Sequence, residues 1–201
     1  MLACLDFEGV SASEHFGFDG ISGADRPGRV SVASVAGRGN VLVAELETTK
    51  PQELLFIKKL PDLKGNVGLT LDFDVQIVLS SFDSTTVADL HLAGTNCEES
   101  VGLGVFAGPR LGRTREQTKT VDAPGIEWRH VTAVLRESGN PATPYEQASA
   151  IDGTEVVRAA ADLNIAGCNR RDLRVGLLEF SGGGKATVKF DNVVVRSVKS
   201  E

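Results

Sequence analysis

The chain has 201 residues, with 27 acidic against 21 basic side chains and a net charge of −6. Acids and bases are interspersed, which excludes the basic stripe of a nucleic-acid binder, and no apolar run approaches the ~20 residues that span a bilayer as a helix. The expected partners are therefore neither nucleic acid nor, through a transmembrane segment, lipid. A chain this long buries about 70% of the surface its unfolded form exposes, so a single domain over 1–201 needs no staple.

Met1 directly precedes Leu2-Ala3-Cys4, so the domain begins almost at once. The expectation is a secreted or cell-surface protein whose leader has been trimmed, with a leaderless cytoplasmic protein as the alternative. Leu2-Ala3-Cys4 is also similar to the end of a bacterial lipoprotein signal, in which the cysteine is lipidated. A short acidic segment, Leu5-Asp6-Phe7-Glu8-Gly9, follows.

Strand-like runs then recur at 30–35, 40–47, 53–59, 67–79, 86–92, 101–106, 128–136, 145–151, 173–180 and 185–198. Many of the 22 glycines fall between them. Short β runs separated by turn residues predict an all-β, antiparallel two-sheet β-sandwich. The clearest alternation is in 69–79, where Leu69, Leu71, Phe73, Val75, Ile77 and Leu79 share one face and Thr70, Asp72, Asp74 and Gln76 the other. Such a strand has one buried face and one open to water or ligand.

Asp152–163 has partly helical spacing, but Asp152-Gly153 followed by Thr-Glu-Val-Val predicts a hairpin turn leading into a strand, with a short helical turn over 159–163. The basic cluster Arg110, Arg113, Arg115 and Lys119 is read as a solvated loop or hairpin. Gly182-Gly183-Gly184-Lys185 lacks phosphate-loop spacing and is read as a hairpin turn between two strands. The last segment, Ala186-Thr-Val-Lys-Phe-Asp-Asn-Val-Val-Val-Arg196, has a mostly period-2 pattern and carries an acid in mid-strand.

Three cysteines allow at most one internal bridge. Cys97 and Cys168 both stand in Gly/Asn settings on which two rim loops could converge, so a Cys97–Cys168 disulfide is expected, with free thiols as the alternative. His15, His91 and His130 are too scattered for a zinc set, and His130 is expected to pack or satisfy a hydrogen bond. No G-x-S-x-G elbow or Cys/His signature is present.

The acidic opening together with the Phe190-Asp-Asn-Val-Val-Val195 ending resembles the concanavalin A-like lectin/glucanase superfamily, whose jelly rolls bring the two termini side by side. Glu127-Trp128-Arg129-His130-Val131 through Leu135, then Ile151-Asp152-Gly153 and Leu173-Arg174-Val175-Gly176, resemble in order the later strands of its laminin-G-like members. The resemblance implies a structural calcium ion where the termini meet. It would be held by Glu8 or Asp6, by the 36–40 turn around Arg38, and by Asp191. The oxygen donors suit a hard cation.

The fold-level analogy implies a non-catalytic binding or adhesion module whose ligand is carbohydrate, contacted by Asp72, Asp74 and Gln76 on the open sheet face or by Tyr145 on a rim loop. With one Trp and one Tyr, the chain is poor in the flat rings that stack on sugars. That scarcity keeps open a structural or protein-interaction domain of a surface or particle assembly. A third reading is a glycoside hydrolase or lyase of the same fold. The superfamily's E-x-D-x-x-E strand is D-x-D-x-x-I here, with Ile77 in place of the third acid, and that departure argues against hydrolysis.

Overall fold

The computed structural model describes residues 1–9, 17–22, 28–48, 53–61, 68–80, 84–94, 97–106, 110–112, 121–122, 127–161, 168–177, 180–181 and 184–198. Every regular element among them is a strand. One sheet contains β3 (Gly28–Val35), β4 (Gly39–Thr48), β6 (Gly68–Ser80), β11 (Arg129–Asn140), β12 (Thr143–Ile151), β13 (Thr154–Ala161) and β16 (Gly184–Val198). Their order is β13-β12-β11-β6-β16-β4-β3, and β1 (Ala3–Leu5) also pairs with β16. We call it the terminal sheet.

The second sheet contains β2 (Gly20–Ser22), β5 (Leu54–Lys59), β7 (Ser84–Gly94), β8 (Cys97–Phe106), β9 (Arg110–Gly112), β10 (Val121–Asp122) and β14 (Cys168–Leu177). It runs β10-β9-β8-β7-β14-β5-β2, with β15 (Phe180–Ser181) also on β7. We call it the opposing sheet. All of the strand pairs in both sheets are antiparallel.

Period-2 alternation decides which side chains enter the core. Leu69, Leu71, Phe73, Val75 and Ile77 of β6 are buried, as are Val131, Ala133 and Leu135 of β11 beside them, and Leu90, Leu92, Leu173, Val175 and Leu177 from the opposing sheet join the same cluster. Phe73 and Phe190 meet with ring centroids 6.1 Å apart, and Phe18 lies 5.3 Å from Phe56 and 6.2 Å from Phe7. Phe7 thereby anchors the opening segment in the core and leaves its flanking Asp6 and Glu8 exposed.

The terminal strand departs from strict alternation at one place. Asp191 pairs with Asp74 and Val194 with Asp72, so three steps along β16 match two along β6. The extra residue makes a β-bulge, and Asn192 carries it with φ +52°, a left-handed value that asparagine tolerates better than β-branched residues. The bulge returns Val193 and Val195 to the core after Phe190. It also leaves Asp191 on the outer face beside Asp74.

Asp152 (φ +49°) and Gly153 (φ +76°) make the two-residue turn between β12 and β13, as the sequence predicts. Residues 159–161 continue β13 as strand rather than forming a helical turn. Gly182–Lys185 is a correction: Gly182 and Gly183 lie outside the described residues, but β15 pairs with β7 of the opposing sheet whereas β16 belongs to the terminal sheet, so the two strands do not form the expected hairpin. Of the basic cluster, Arg110 starts β9, and Arg113, Arg115 and Lys119 lie outside the described residues, as does His15.

Cys4 is free and exposed, and Cys168 is disulfide-bonded. In the backbone register Gly94 of β7 faces both Cys97 and Cys168, which puts the two cysteines on either side of one strand end. Mass analysis of a non-reducing digest should recover Cys97 linked to Cys168. Reduction should then lower stability by about 4 kcal/mol, the chain-entropy value for a loop of about 70 residues. A Cys4-linked peptide, or an unchanged midpoint after reduction, would contradict this.

Candidate functional site

On the outer face of the terminal sheet, the expected ligand residues Asp72 and Asp74 are tied into the protein itself. Thr132 Oγ1 donates to Asp72 Oδ1 at 2.8 Å, and Arg196 pairs with its other oxygen. Asp74 Oδ1 lies 2.8 Å from His130 Nδ1, while its Oδ2 accepts from Arg38 Nη1 at 2.8 Å and Asn192 Nδ2 at 3.0 Å. The cross-strand register explains the convergence, because Thr132 and His130 of β11 stand opposite Asp72 and Asp74. Arg38 in addition lies over the Trp128 ring, 4.2 Å from its centroid, a cation–π contact.

Burial alone would raise the Asp74 carboxyl, but hydrogen bonds from Asn192, Arg38 and His130 hold it below its ordinary value of 3.8. The lowered Asp74 carboxyl, bonded at both oxygens within the protein, is unsuited to the proton-donating role of a glycosidase acid. A depressed carboxyl adds stability above its ordinary value and loses it as pH falls through the lowered one. Asp74→Asn should accordingly lower the melting temperature at pH 7, and the gap to wild type should close at pH values below Asp74's depressed value. A gap that persists unchanged there would mean that lost shape, not lost charge, caused it.

Of the four expected metal residues, Arg38 reaches Asp191, and Glu8 binds the turn that carries Arg38, at Asn40, near the junction of the termini. Leu5 of β1 pairs with Val193, and Leu42 of β4 pairs with Phe190, so both strands run along the same edge of β16 on either side of the bulge. Glu8 Oε1 accepts from Asn40 N at 2.8 Å. It sits 2.0 Å from where a Cβ on Gly39 would be, so the glycine makes room for the carboxylate. Asp191 Oδ1 accepts from Asn192 N at 2.9 Å, and its Oδ2 lies 3.3 Å from Arg38 Nη1. Burial nevertheless raises its carboxyl above 3.8, against the Asn192 N–H and Arg38. Asp6 is exposed and accepts from Glu8 N at 3.2 Å. Among the described residues no three His, Cys, Asp or Glu side chains form a metal-binding group.

Tyr145 is a correction. It belongs to β12 and is 5% exposed, within the core cluster, so it is not a rim-loop contact. The pairing of β12 with β11 fixes this, because the inward Leu135 stands opposite Gln147 and Tyr145 shares Gln147's face. Gln76 remains half-buried on the outer face of β6.

The opposing sheet carries a second polar array that the sequence reading passes over. On its outer face, β14 presents Asp172 and Arg174 and β7 presents Asp89 and His91. Asp172 stands opposite His91 on one side and Lys59 of β5 on the other, and Arg174 stands opposite Asp89. Arg174 grips Asp89 with two parallel bonds, Nε to Oδ1 at 2.8 Å and Nη2 to Oδ2. Arg170 closes on Asp172 Oδ2 through Nε at 2.7 Å and Nη2 at 2.6 Å.

These acids face outward from the sandwich yet are hidden from water: Asp89 is 4% exposed and Asp172 1%. Burying charge is costly unless it is paired, so a covered row of charges on the outside of a sheet is a placement that hydrophobic burial does not explain. Its sequence signal was available. Asp89 and His91 alternate with Ala88, Leu90 and Leu92, and Arg170, Asp172 and Arg174 lie at i, i+2, i+4.

No family model matches the chain, and no curated protein matches it. Solved structures do. An endo-β-1,4-glucuronan lyase from the fungus Trichoderma reesei superposes with a TM-score of 0.61 at 14% identity, over 89% of this chain and 90% of that one. The alginate lyase Aly36B in complex with alginate tetrasaccharide gives 0.65 at 13%, over 98% and 97%. The cellulose-induced protein Cip1 gives 0.67 at 13%, over 96% of both chains.

Proposed function

We propose that this chain, which has the concanavalin A-like jelly-roll fold, is a carbohydrate-binding protein whose ligand lies across the outer face of the opposing sheet. The observation that carries the reading is the outward-facing row Asp172, Arg174, Asp89 and His91, in which two buried acids are flanked by the partly exposed Arg174 and His91, a set of oriented polar groups of the kind sugar hydroxyls require. The structural neighbours support a glycan as ligand, since two are lyases of glucuronan and of alginate. The terminal sheet is a weaker candidate, because Asp72 and Asp74 each have both oxygens engaged within the protein, whereas Asp172 of the opposing sheet keeps one oxygen without a partner. A protein-docking face is likewise less favoured: among the described residues the exposed large hydrophobics are Met1, Val78 and Val198, which form no broad apolar patch of the kind that marks such faces.

Calorimetric titration with alginate and glucuronan oligosaccharides tests the reading. Saturable binding that Arg174→Ala removes from a folded protein is the expected result, and heats indistinguishable from dilution for every glycan tried would reject it. The second reading, a lyase on the same face, is favoured by the pairing of His91 with Asp172 across β7 and β14. It predicts that ultraviolet absorbance from an unsaturated sugar end grows with time, whereas a binding module leaves the polymer intact.

A structural calcium ion at the terminal junction is a subordinate proposal. Glu8, Asp191 and carbonyls of the 36–40 turn would hold it, and a hard cation there would tie both ends of the chain together. Thermal unfolding in calcium against chelator measures it, with stabilisation of about 2.7 kcal/mol at a hundredfold excess over the dissociation constant. Glu8→Gln should abolish that shift; equal midpoints for wild type in calcium and in chelator would exclude the ion.

A further inference from the structure

The two oxygens of Asp172 are treated differently. Oδ2 takes both Arg170 bonds, while Oδ1 is buried and has no hydrogen-bond partner. The other two buried aspartates are filled on both sides. Asp89 receives Arg174 at each oxygen, and Asp191 receives Asn192 N at one and Arg38 at the other. An acceptor shut away from water with no donor is strongly disfavoured, so Asp172 Oδ1 stands ready for a donor that comes from outside the chain.

The surroundings decide what kind of donor. Arg170 already lies against the carboxylate, and Lys59 and His91 are its cross-strand neighbours. An incoming cation would meet Arg170 and Lys59, whereas a neutral hydroxyl would not be repelled. The Arg170 side chain that holds Oδ2 is 62% exposed, so the carboxylate is bordered on that side by a group in contact with solvent.

We infer that Asp172 Oδ1 is the acceptor for a ring hydroxyl of the bound glycan, which makes Asp172 a specificity-determining residue. The inference rests on the carbohydrate reading above and adds the atom that selects the sugar. A site with a buried acceptor rejects a ligand that lacks the matching donor, because the acceptor is then left unpaired. A glycan whose hydroxyl at that position is O-acetylated should therefore bind poorly.

The test is calorimetry on the intact chain with alginate tetrasaccharide and a glucuronan oligosaccharide, each native and O-acetylated, against wild type and Asp172→Asn. Wild type should bind the native sugar and discriminate against the acetylated form. Asp172→Asn, which keeps the side chain's shape, should bind the native sugar about tenfold more weakly, as expected for losing a hydrogen bond to a charged group. Its preference for the native form should shrink. If Asp172→Asn fails to fold, a crystal of wild type with the tetrasaccharide decides the matter: a sugar hydroxyl within hydrogen-bonding distance of Oδ1 is expected. Unchanged affinity and selectivity in a folded Asp172→Asn, or a water on Oδ1 with the sugar elsewhere, would overturn the inference and leave the carbohydrate reading standing. No binding of any glycan to wild type would overturn both.

Discussion

Gly176→Ala is expected to cost more than about 3 kcal/mol of stability, the range of severe backbone and packing lesions. Gly176 lies in β14, at the middle of the opposing sheet, with φ +137°, a backbone conformation that side-chain-bearing residues rarely adopt. A Cβ there would stand 2.1 Å from the carbonyl oxygen of Leu54 and 3.1 Å from its carbonyl carbon. Both atoms are backbone of the paired strand β5, so neither can swing aside as a side chain would. Relief would require β5 to move away from β14, opening the register that joins Leu177 to Leu54 and Gly176 to Leu55. Leu54, Leu55 and Leu177 are almost fully buried, and the core would open with it.

Gly153→Ala is the matched control. Its φ is +76°, but a Cβ there meets nothing within 4 Å. It should therefore cost only the left-handed strain of about 1 to 2 kcal/mol. Chemical denaturation of both variants separates clash from strain. Equal losses would show that β5 yields easily and that the close approach at Gly176 is not essential.

The second large effect concerns Asp89 and Arg174. Arg174→Ala should destabilise by about 3 to 5 kcal/mol, because it leaves a buried charge without compensation. The two halves of the pair are not equivalent. The Asp89 side chain is 5% exposed and that of Arg174 24%. A stranded arginine can turn towards water and a stranded Asp89 cannot, so Arg174→Ala should cost more than Asp89→Ala. Replacing both, as Asp89→Leu with Arg174→Met, should recover most of the loss, since a buried ion pair often contributes little beyond a well-packed apolar one.

A double-mutant cycle by urea denaturation gives the answer. If the double variant is as unstable as Arg174→Ala alone, the residues hold the sheet by more than mutual neutralisation. If it is stable but no longer binds glycan, the pair is there for recognition. That outcome would strengthen the assignment of the ligand to this face.

The fold was legible where alternation was strong and where turn residues admit few conformations. The strand over 69–79 shows its faces by period alone, and Asp152-Gly153 declares its hairpin because both positions need positive φ. Phe190-Asp191-Asn192-Val193 signalled the last strand but not its bulge, since a period-2 reading has no place for an extra residue until the partner strand supplies the register. Gly182–Lys185 was read as a hairpin for a related reason. Glycines show that the chain turns and leave open which sheet the next strand joins, and that depends on pairings formed with distant segments.

The site was less legible than the fold. Asp72, Asp74 and Asp191 are conspicuous as acids in strands, but their roles depend on Arg38, Arg196 and His130, which reach them from sequence distances of 36 to 153 residues. Tyr145 was misplaced because its flanking prolines and asparagine suggest a loop, whereas pairing with β11 sets its ring inward. What the sequence by itself determined was the strand periodicity, the two-sheet class and the positions of tight turns, all of which follow from interactions a few residues long. Only the tertiary structure decided which charged residues were neutralised and which acceptor was left open. Asp89 and Asp172 sit on an outer sheet face where the sequence pattern predicts solvent, and burial there is a property of what the whole chain folds over them.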